Sequence, residues 1–219
     1  MEPAKRKVVQ RSPAHTVRRL HLPHLPEAAV EADSSVERDF VLIASLYVGI
    51  KSIQHQPFIL TLGSGSYTPD FLLQFQDQTK AVVEVKPTSE VPKYEVLFAQ
   101  AKEKLAQHGM LFIVARDTVL RKDSMAERAM KIRRYAKTLC HFQEQERALE
   151  LVQQHPTGVS IRNLMQARVT KPTLYYLIAH RRLQADEQLN IEDDAIVSLP
   201  KPLPLEASHA VCFARWLDA

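Results

Sequence analysis

The chain has 219 residues, a formal net charge of +4 and an apolar share of 45%. That length suits one or two domains with a sizeable core, and the mildly basic balance tolerates a polyanionic partner without demanding one. Two distant cysteines, Cys140 and Cys212, exclude a disulfide framework and point to a reducing compartment. The longest apolar run, Phe40 to Ile50, is too short to span a bilayer, so no membrane partner is expected. No secretory pattern opens the chain, and the cytoplasm is the expected location.

Residues 1–33 read as a basic arm. Lys5, Arg6, Lys7, Arg11, Arg18 and Arg19 crowd it, Pro3 and Pro13 break any helix, and its apolar residues keep no period. His21 and His24, separated by Leu-Pro without a third ligand nearby, read as surface histidines. A helix begins at Ser34, with Ser34 as N-cap and Glu37 at N3 in the capping-box arrangement, and Gly49 ends the segment. Ile53–Leu60 reads as one strand, closed by Gly63-Ser-Gly-Ser.

Two further strands follow, Tyr67–Phe75 and Ala81–Pro87, with polar turn residues from Asp77 to Lys80 between them. The alternation and the turn predict an antiparallel hairpin. Asp70 stands on its first arm. Glu84 and Lys86, two apart, project from one face of the second, with Val83 and Val85 on the other. Two carboxylates and an ammonium within a few ångströms are what magnesium-dependent phosphodiester hydrolysis needs. The bland alternative is a Glu84–Lys86 surface pair, and for Glu37 a cap and nothing more.

A helix from Pro92 to His108, capped by Gly109, and a strand Met110–Ala115 complete an α/β sandwich with a mixed sheet. Arg121–Lys137 fits a basic amphipathic helix that faces either solvent or phosphate. Beyond Glu144, three helical stretches and two strands, Arg181–Ala185 and Ala195–Leu199, outline a winged helix-turn-helix with an acidic loop at Glu192–Asp194. Its second helix would display Lys171, Tyr175 and His180, and Lys171, Arg181 and Arg182 are the candidate DNA-binding residues. The expected organisation is a basic arm (1–33), a nuclease domain (34–120), a basic linker helix (121–142), a winged-helix domain (143–200) and a C-terminal tail (201–219) ending in an amphipathic segment with Trp216.

Asp70, Glu84 and Lys86 match the Pro-Asp…(Asp/Glu)-x-Lys pattern of restriction-endonuclease-like nucleases. Ser34–Glu37, Gln56-Pro57, Tyr67–Phe71 and Glu84–Pro87 follow in the order seen in the TnsA family, the endonucleases of heteromeric transposases, which this chain resembles. The opening Arg6-Lys7-Val8-Val9 and Arg11-Ser12-Pro13 resemble the arm of members from CRISPR-associated transposons. The likeness covers about residues 5–115; the C-terminal half is similar in kind only, and some members carry glutamine where Glu84 stands.

The resemblance implies catalytic Glu37, Asp70, Glu84 and Lys86. It implies Mg2+, with Mn2+ as substitute, held by Asp70, Glu84 and the Val85 carbonyl, with Glu37 a further ligand or the holder of a second ion. Lys86 would position or deprotonate the attacking water. The implied activity is cleavage of the non-transferred strand near the 5′ ends of a transposon, beside an integrase-type transposase subunit (TnsB) and an AAA+ regulator (TnsC) docking on the C-terminal half, at the nucleoid of a prokaryote. A stand-alone restriction or repair nuclease, and a non-catalytic DNA-binding adaptor, are the alternatives.

Overall fold

The computed structural model describes residues 2–3, 18–22, 25, 29–63, 65–203 and 207–218. The Arg6–Pro13 motifs and His24 lie outside them. In chain order the first half runs β1 (Glu2–Pro3), β2 (Arg18–Leu20), β3 (Val30–Ala32), α1 (Ser35–Ala44), β4 (Ile50–His55), β5 (Phe58–Leu62), β6 (Gly65–Tyr67), β7 (Phe71–Phe75), β8 (Lys80–Lys86), α2 (Glu95–Ala106) and β9 (Met110–Arg116). The second half runs α3 (Asp117–Leu120), α4 (Met125–Arg134), α5 (Phe142–Gln153), β10 (Val159–Ser160), α6 (Ile161–Gln166), α7 (Lys171–Ala179), β11 (Ile196–Val197) and α8 (His209–Leu217).

The central sheet has the order β4-β7-β8-β9. β4, β7 and β8 run antiparallel, with the β5–β6 hairpin inserted between β4 and β7 and a tight turn between β7 and β8, and β9 lies parallel to β8 after the α2 crossover. β8 is therefore internal, and Ala81, Val82 and Val83 are all fully buried, as an apolar run covered on both faces must be. Phe71, Leu73, Val83 and Val85 pack into the large core with Phe40 and Ile43 of α1. On the other face Val82 joins Leu60, Tyr67, Ala101 and Leu105 in a smaller cluster under α2 and the β5–β6 hairpin.

Four expectations are corrected. The strand read from Ile53 to Leu60 is two strands, because Gln56 takes a left-handed φ of 42° and Pro57 has no N–H to offer a ladder. β4 stays in the main sheet, while β5 turns away to pair with β6. The described second half of the arm is part of the fold: β2 pairs with β3, and Leu22, Leu25 and Val30 are buried in the large core. The C-terminal segment is no tail. Phe213 and Trp216 of α8 pack edge-on or tilted against Tyr47, and Phe213 also against Phe75. Asp77 Oδ2, in the β7–β8 turn, accepts from the His209 N–H at 2.7 Å and so caps α8.

The fourth correction concerns the basic segment and the strands after it. Met125, Ala126, Ala129 and Ile132 of α4 are buried against α1 and α7, so α4 belongs to the core rather than to a linker. Cations of the basic segment bind protein: Arg121, ahead of α4, reaches Asp39 at 2.8 Å, Arg128 the Gln188 carbonyl at 2.7 Å and Arg133 the Ala179 carbonyl at 3.3 Å. Arg181–Leu183 are drawn into the end of α7 by hydrogen bonds to the Ile178 and Leu177 carbonyls, which leaves only Gln184 to bridge Ser198. β11 pairs instead with β10, the strand between α5 and α6.

Gly158 precedes β10 with φ +91°, and a Cβ there would lie 2.5 Å from Ile196 Cγ2 and 2.7 Å from the Val197 carbonyl oxygen. Gly158→Ala is therefore expected to destabilise the protein by about 1 kcal/mol or more. Urea denaturation checks this, and an unchanged midpoint would count against so tight a β10–β11 approach.

Candidate active site

The β4–β7–β8 register assembles the site. Phe71 faces His55 on one side and Val83 on the other. One step further along, Asp70 stands opposite Glu84, and its carbonyl accepts from the Gln56 N–H at 2.8 Å. Directly opposed positions share a face, so the two carboxylates meet. Asp70 Oδ2 accepts from the Val85 N–H at 2.8 Å, which pins the carboxylate onto β8. Lys86 Nζ lies 2.8 Å from Glu84 Oε1 and 3.8 Å from Asp70 Oδ2. The expected trio is thus in mutual contact.

Glu84 is only 3% exposed, so the face on which the sequence placed it is covered rather than open to solvent. Tyr67, carried over the sheet by the β5–β6 hairpin, donates its hydroxyl to Glu84 Oε2 at 2.5 Å. Burial and the Glu84 charge push that phenol far up, so it remains a donor. Burial and the Glu84 carboxylate raise Asp70 to about 7, against the opposing pull of Lys86 and the Val85 N–H. Burial pulls the Lys86 ammonium down, but Asp70 and Glu84 outweigh it and hold the amine protonated.

Glu37 sits at the start of α1 with different neighbours. Ser34 Oγ accepts from its N–H at 3.1 Å, while Glu37 Oε2 accepts from the Asp33 N–H at 2.8 Å, one residue earlier than a capping box would place it. His55 Nε2 is 3.7 Å from the same oxygen. Burial raises the Glu37 carboxyl, and His55, the Asp33 N–H and Ser34 together overcome this and hold it below the usual carboxylate range. Glu37 reaches the Asp70 group through its field, which adds to the rise at Asp70. Asp33, His55 and Tyr67 carried no role in the sequence reading. His55 and Ile53 alternate onto the α1 face of β4, and that periodicity was the available signal.

The basic candidates of the C-terminal half stand far from this cluster in character. Lys171 pairs with Asp193 at 2.5 Å and Arg182 with Glu146 at 3.2 Å. Arg181 turns inward, donating Nε to the Ser45 carbonyl at 3.0 Å and Nη1 to the Ile50 carbonyl, so its reading as a DNA contact is corrected. Tyr175 is 1% exposed and His180 Nε2 contacts the Ala136 carbonyl at 2.8 Å, so neither is displayed as expected.

A group with its folded pKa above the ordinary value favours folding while protonated. The Asp70 contribution is fully present below 3.8 and is lost as pH rises through about 7. Without divalent cations, the melting temperature is expected to fall between mildly acidic and mildly alkaline pH. Asp70→Asn should flatten that slope; calorimetry showing the same slope in the variant would reject the assignment.

A four-stranded mixed sheet between helices, with two buried carboxylates and a lysine at one strand end, fits the restriction-endonuclease-like fold of nucleases. Residues 44–117, roughly a third of the chain, match the family model for the TnsA-like endonuclease N-terminal domain, and that match supports a TnsA-type nuclease family for this segment. The match holds Asp70, Glu84 and Lys86 and begins after Glu37. A comparison with curated proteins gives no match. No helix among the described residues is long and apolar enough to cross a membrane.

Proposed function

We propose that the chain is the magnesium-dependent endonuclease subunit of a heteromeric transposase and cuts the non-transferred strand near the 5′ ends of the transposon. The observation that carries this reading is the largely buried Asp70–Glu84–Lys86 group within the segment that matches the TnsA-like endonuclease domain. The donors suit a hard cation. Two carboxylates against one ammonium leave the group net negative when both are ionised, and burial together with the Glu84 charge raises Asp70 to about 7. Each carboxylate has four lone-pair sites, so Glu84 keeps acceptor capacity beyond Tyr67 and Lys86. Asp70, Glu84 and the Val85 carbonyl would hold Mg2+ or Mn2+, with Glu37 as a further ligand or the holder of a second ion. Bound there, the ion supplies positive charge against the negative charge that builds up at phosphorus.

The chain's own residues do the rest. Lys86, cationic at neutral pH, donates to the attacking water or a phosphate oxygen and offsets transition-state charge. That charge state favours positioning over proton abstraction. Tyr67 fixes the Glu84 rotamer, and the Val85 N–H fixes that of Asp70. The helix–strand–helix–helix order of α5, β10, α6 and α7, with β11 against β10, supports a winged helix over 143–200. Arg162, Lys171 and Arg182 are spent on acids of the same unit and Arg181 turns inward, which favours protein docking, to the AAA+ regulator (TnsC), over groove binding.

The test combines purified chain, integrase-type transposase subunit (TnsB), regulator, transposon-end DNA and Mg2+. Nicks confined to the 5′ strand are expected. Cleavage by the chain alone would favour a stand-alone restriction or repair nuclease, and no cleavage with Asp70→Ala-insensitive DNA binding would favour an adaptor.

A further inference from the structure

Asp33, Glu37 and His55 each offer a ligand atom, and the three atoms lie within 4.8 Å of one another. We propose that they form a site for a first-row divalent transition cation, separate from the Asp70–Glu84 pair. The cluster alone would not carry this, since buried acids commonly serve only as caps. His55 supplies the independent observation. Its side chain is 8% exposed, yet Nε2 makes no hydrogen bond among the described residues. A buried imidazole nitrogen without a partner is costly.

The geometry says what Nε2 is aimed at. It lies 3.7 Å from Glu37 Oε2, too far for a hydrogen bond. Two bonds of about 2.1 Å to one ion, at an angle slightly wider than tetrahedral, span that separation. Glu37 is held in place by the Asp33 N–H at 2.8 Å, and Gln56 Nε2 approaches Asp33 Oδ2 at 3.4 Å. Gln56 Oε1 is also buried without a partner. The ligands come from the turn before α1, its first turn and the end of β4, so the fold itself sets their spacing.

The donor set selects the cation. One imidazole with two carboxylates suits manganese, cobalt or zinc, whereas magnesium prefers oxygen ligands and keeps its waters. The proposal deepens the nuclease reading by naming Asp33 and His55 as co-ligands of Glu37 and by giving the second ion a chemistry unlike the first. It rests on that reading only for the ion's role beside the scissile phosphate; the binding itself does not.

Pulsed paramagnetic resonance of Mn2+ added to the full chain tests it without DNA. Nitrogen coupling from one bound Mn2+ is expected in the wild type and in Asp70→Asn/Glu84→Gln, and is expected to vanish in His55→Gln. Asp33→Asn should weaken that nitrogen-coupled ion by more than about 10²-fold, beyond what loss of an outer-shell partner commonly costs. No nitrogen coupling in the wild type, or coupling that persists in His55→Gln, overturns the proposal. If His55→Gln does not fold, an unchanged affinity in Asp33→Asn overturns it instead. Absent 5′-strand nicks with nitrogen coupling intact would sink the nuclease reading and leave this site standing.

Discussion

Lys86→Ala is expected to lower 5′-strand nicking at least about 10²-fold while the transposase complex still assembles. The ammonium sits between two carboxylates, 2.8 Å from Glu84 and 3.8 Å from Asp70, and is the nearest cation to both. Its removal takes away a donor at the point where transition-state charge develops. It also leaves Asp70 and Glu84 facing each other across β7 and β8 with nothing between them. The Asp70 carboxyl should then rise further, so the variant without divalent ions should lose more stability at mildly alkaline than at mildly acidic pH. The two readouts separate roles. A structural pair alone would change the melting curves and spare the nicking rate of folded protein. Asp70→Ala should abolish nicking equally while removing the pH slope. Nicking by Lys86→Ala at the wild-type rate would remove Lys86 from the catalytic group.

The hairpin that holds this trio was legible because strand pairing is local there. Apolar alternation, a polar turn from Asp77 to Lys80 and a two-residue step from Glu84 to Lys86 are short-range signals. The Ser34 cap was legible for the same reason. What escaped depends on contacts between distant segments. Tyr67 meets Glu84 only because Gln56 and Pro57 turn β5 out of the main sheet, and a left-handed backbone at glutamine is not written in composition. His55 meets Glu37 only because the fold sets the end of β4 against the first turn of α1. The pairing of β10 with β11 needs a strand two residues long, too short for any period to show. The basic run from Arg121 to Lys137 looked like a surface because charge dominates it. Its amphipathic spacing was legible, but the burial of five apolar positions and the carbonyl-bound guanidiniums depend on α1 and α7 being in place.

Arg181→Ala is expected to destabilise the whole protein by about 2–4 kcal/mol. Arg181 follows α7 with φ +58°, a conformation that favours glycine, and its guanidinium crosses to the first half of the chain. Nε donates to the carbonyl of Ser45, the C-cap of α1, and Nη1 to the carbonyl of Ile50, where β4 begins. A helix C-terminus favours a cation, and both carbonyls would lose this donor in the variant. Burial and the Arg133 charge disfavour the buried guanidinium, so part of the loss is offset and the figure stays at the lower end of buried ionic deletions. Arg181→Gly makes the argument sharper. It loses the same hydrogen bonds but relieves the left-handed backbone, and should cost about 1 kcal/mol less than alanine. Because Arg181 ties α7 to α1 and β4, its removal should also split a single urea transition into two, the C-terminal helices unfolding first. Equal midpoints for wild type and Arg181→Ala, or a glycine variant no better than the alanine one, would reject the latch and reopen the question of what this arginine touches.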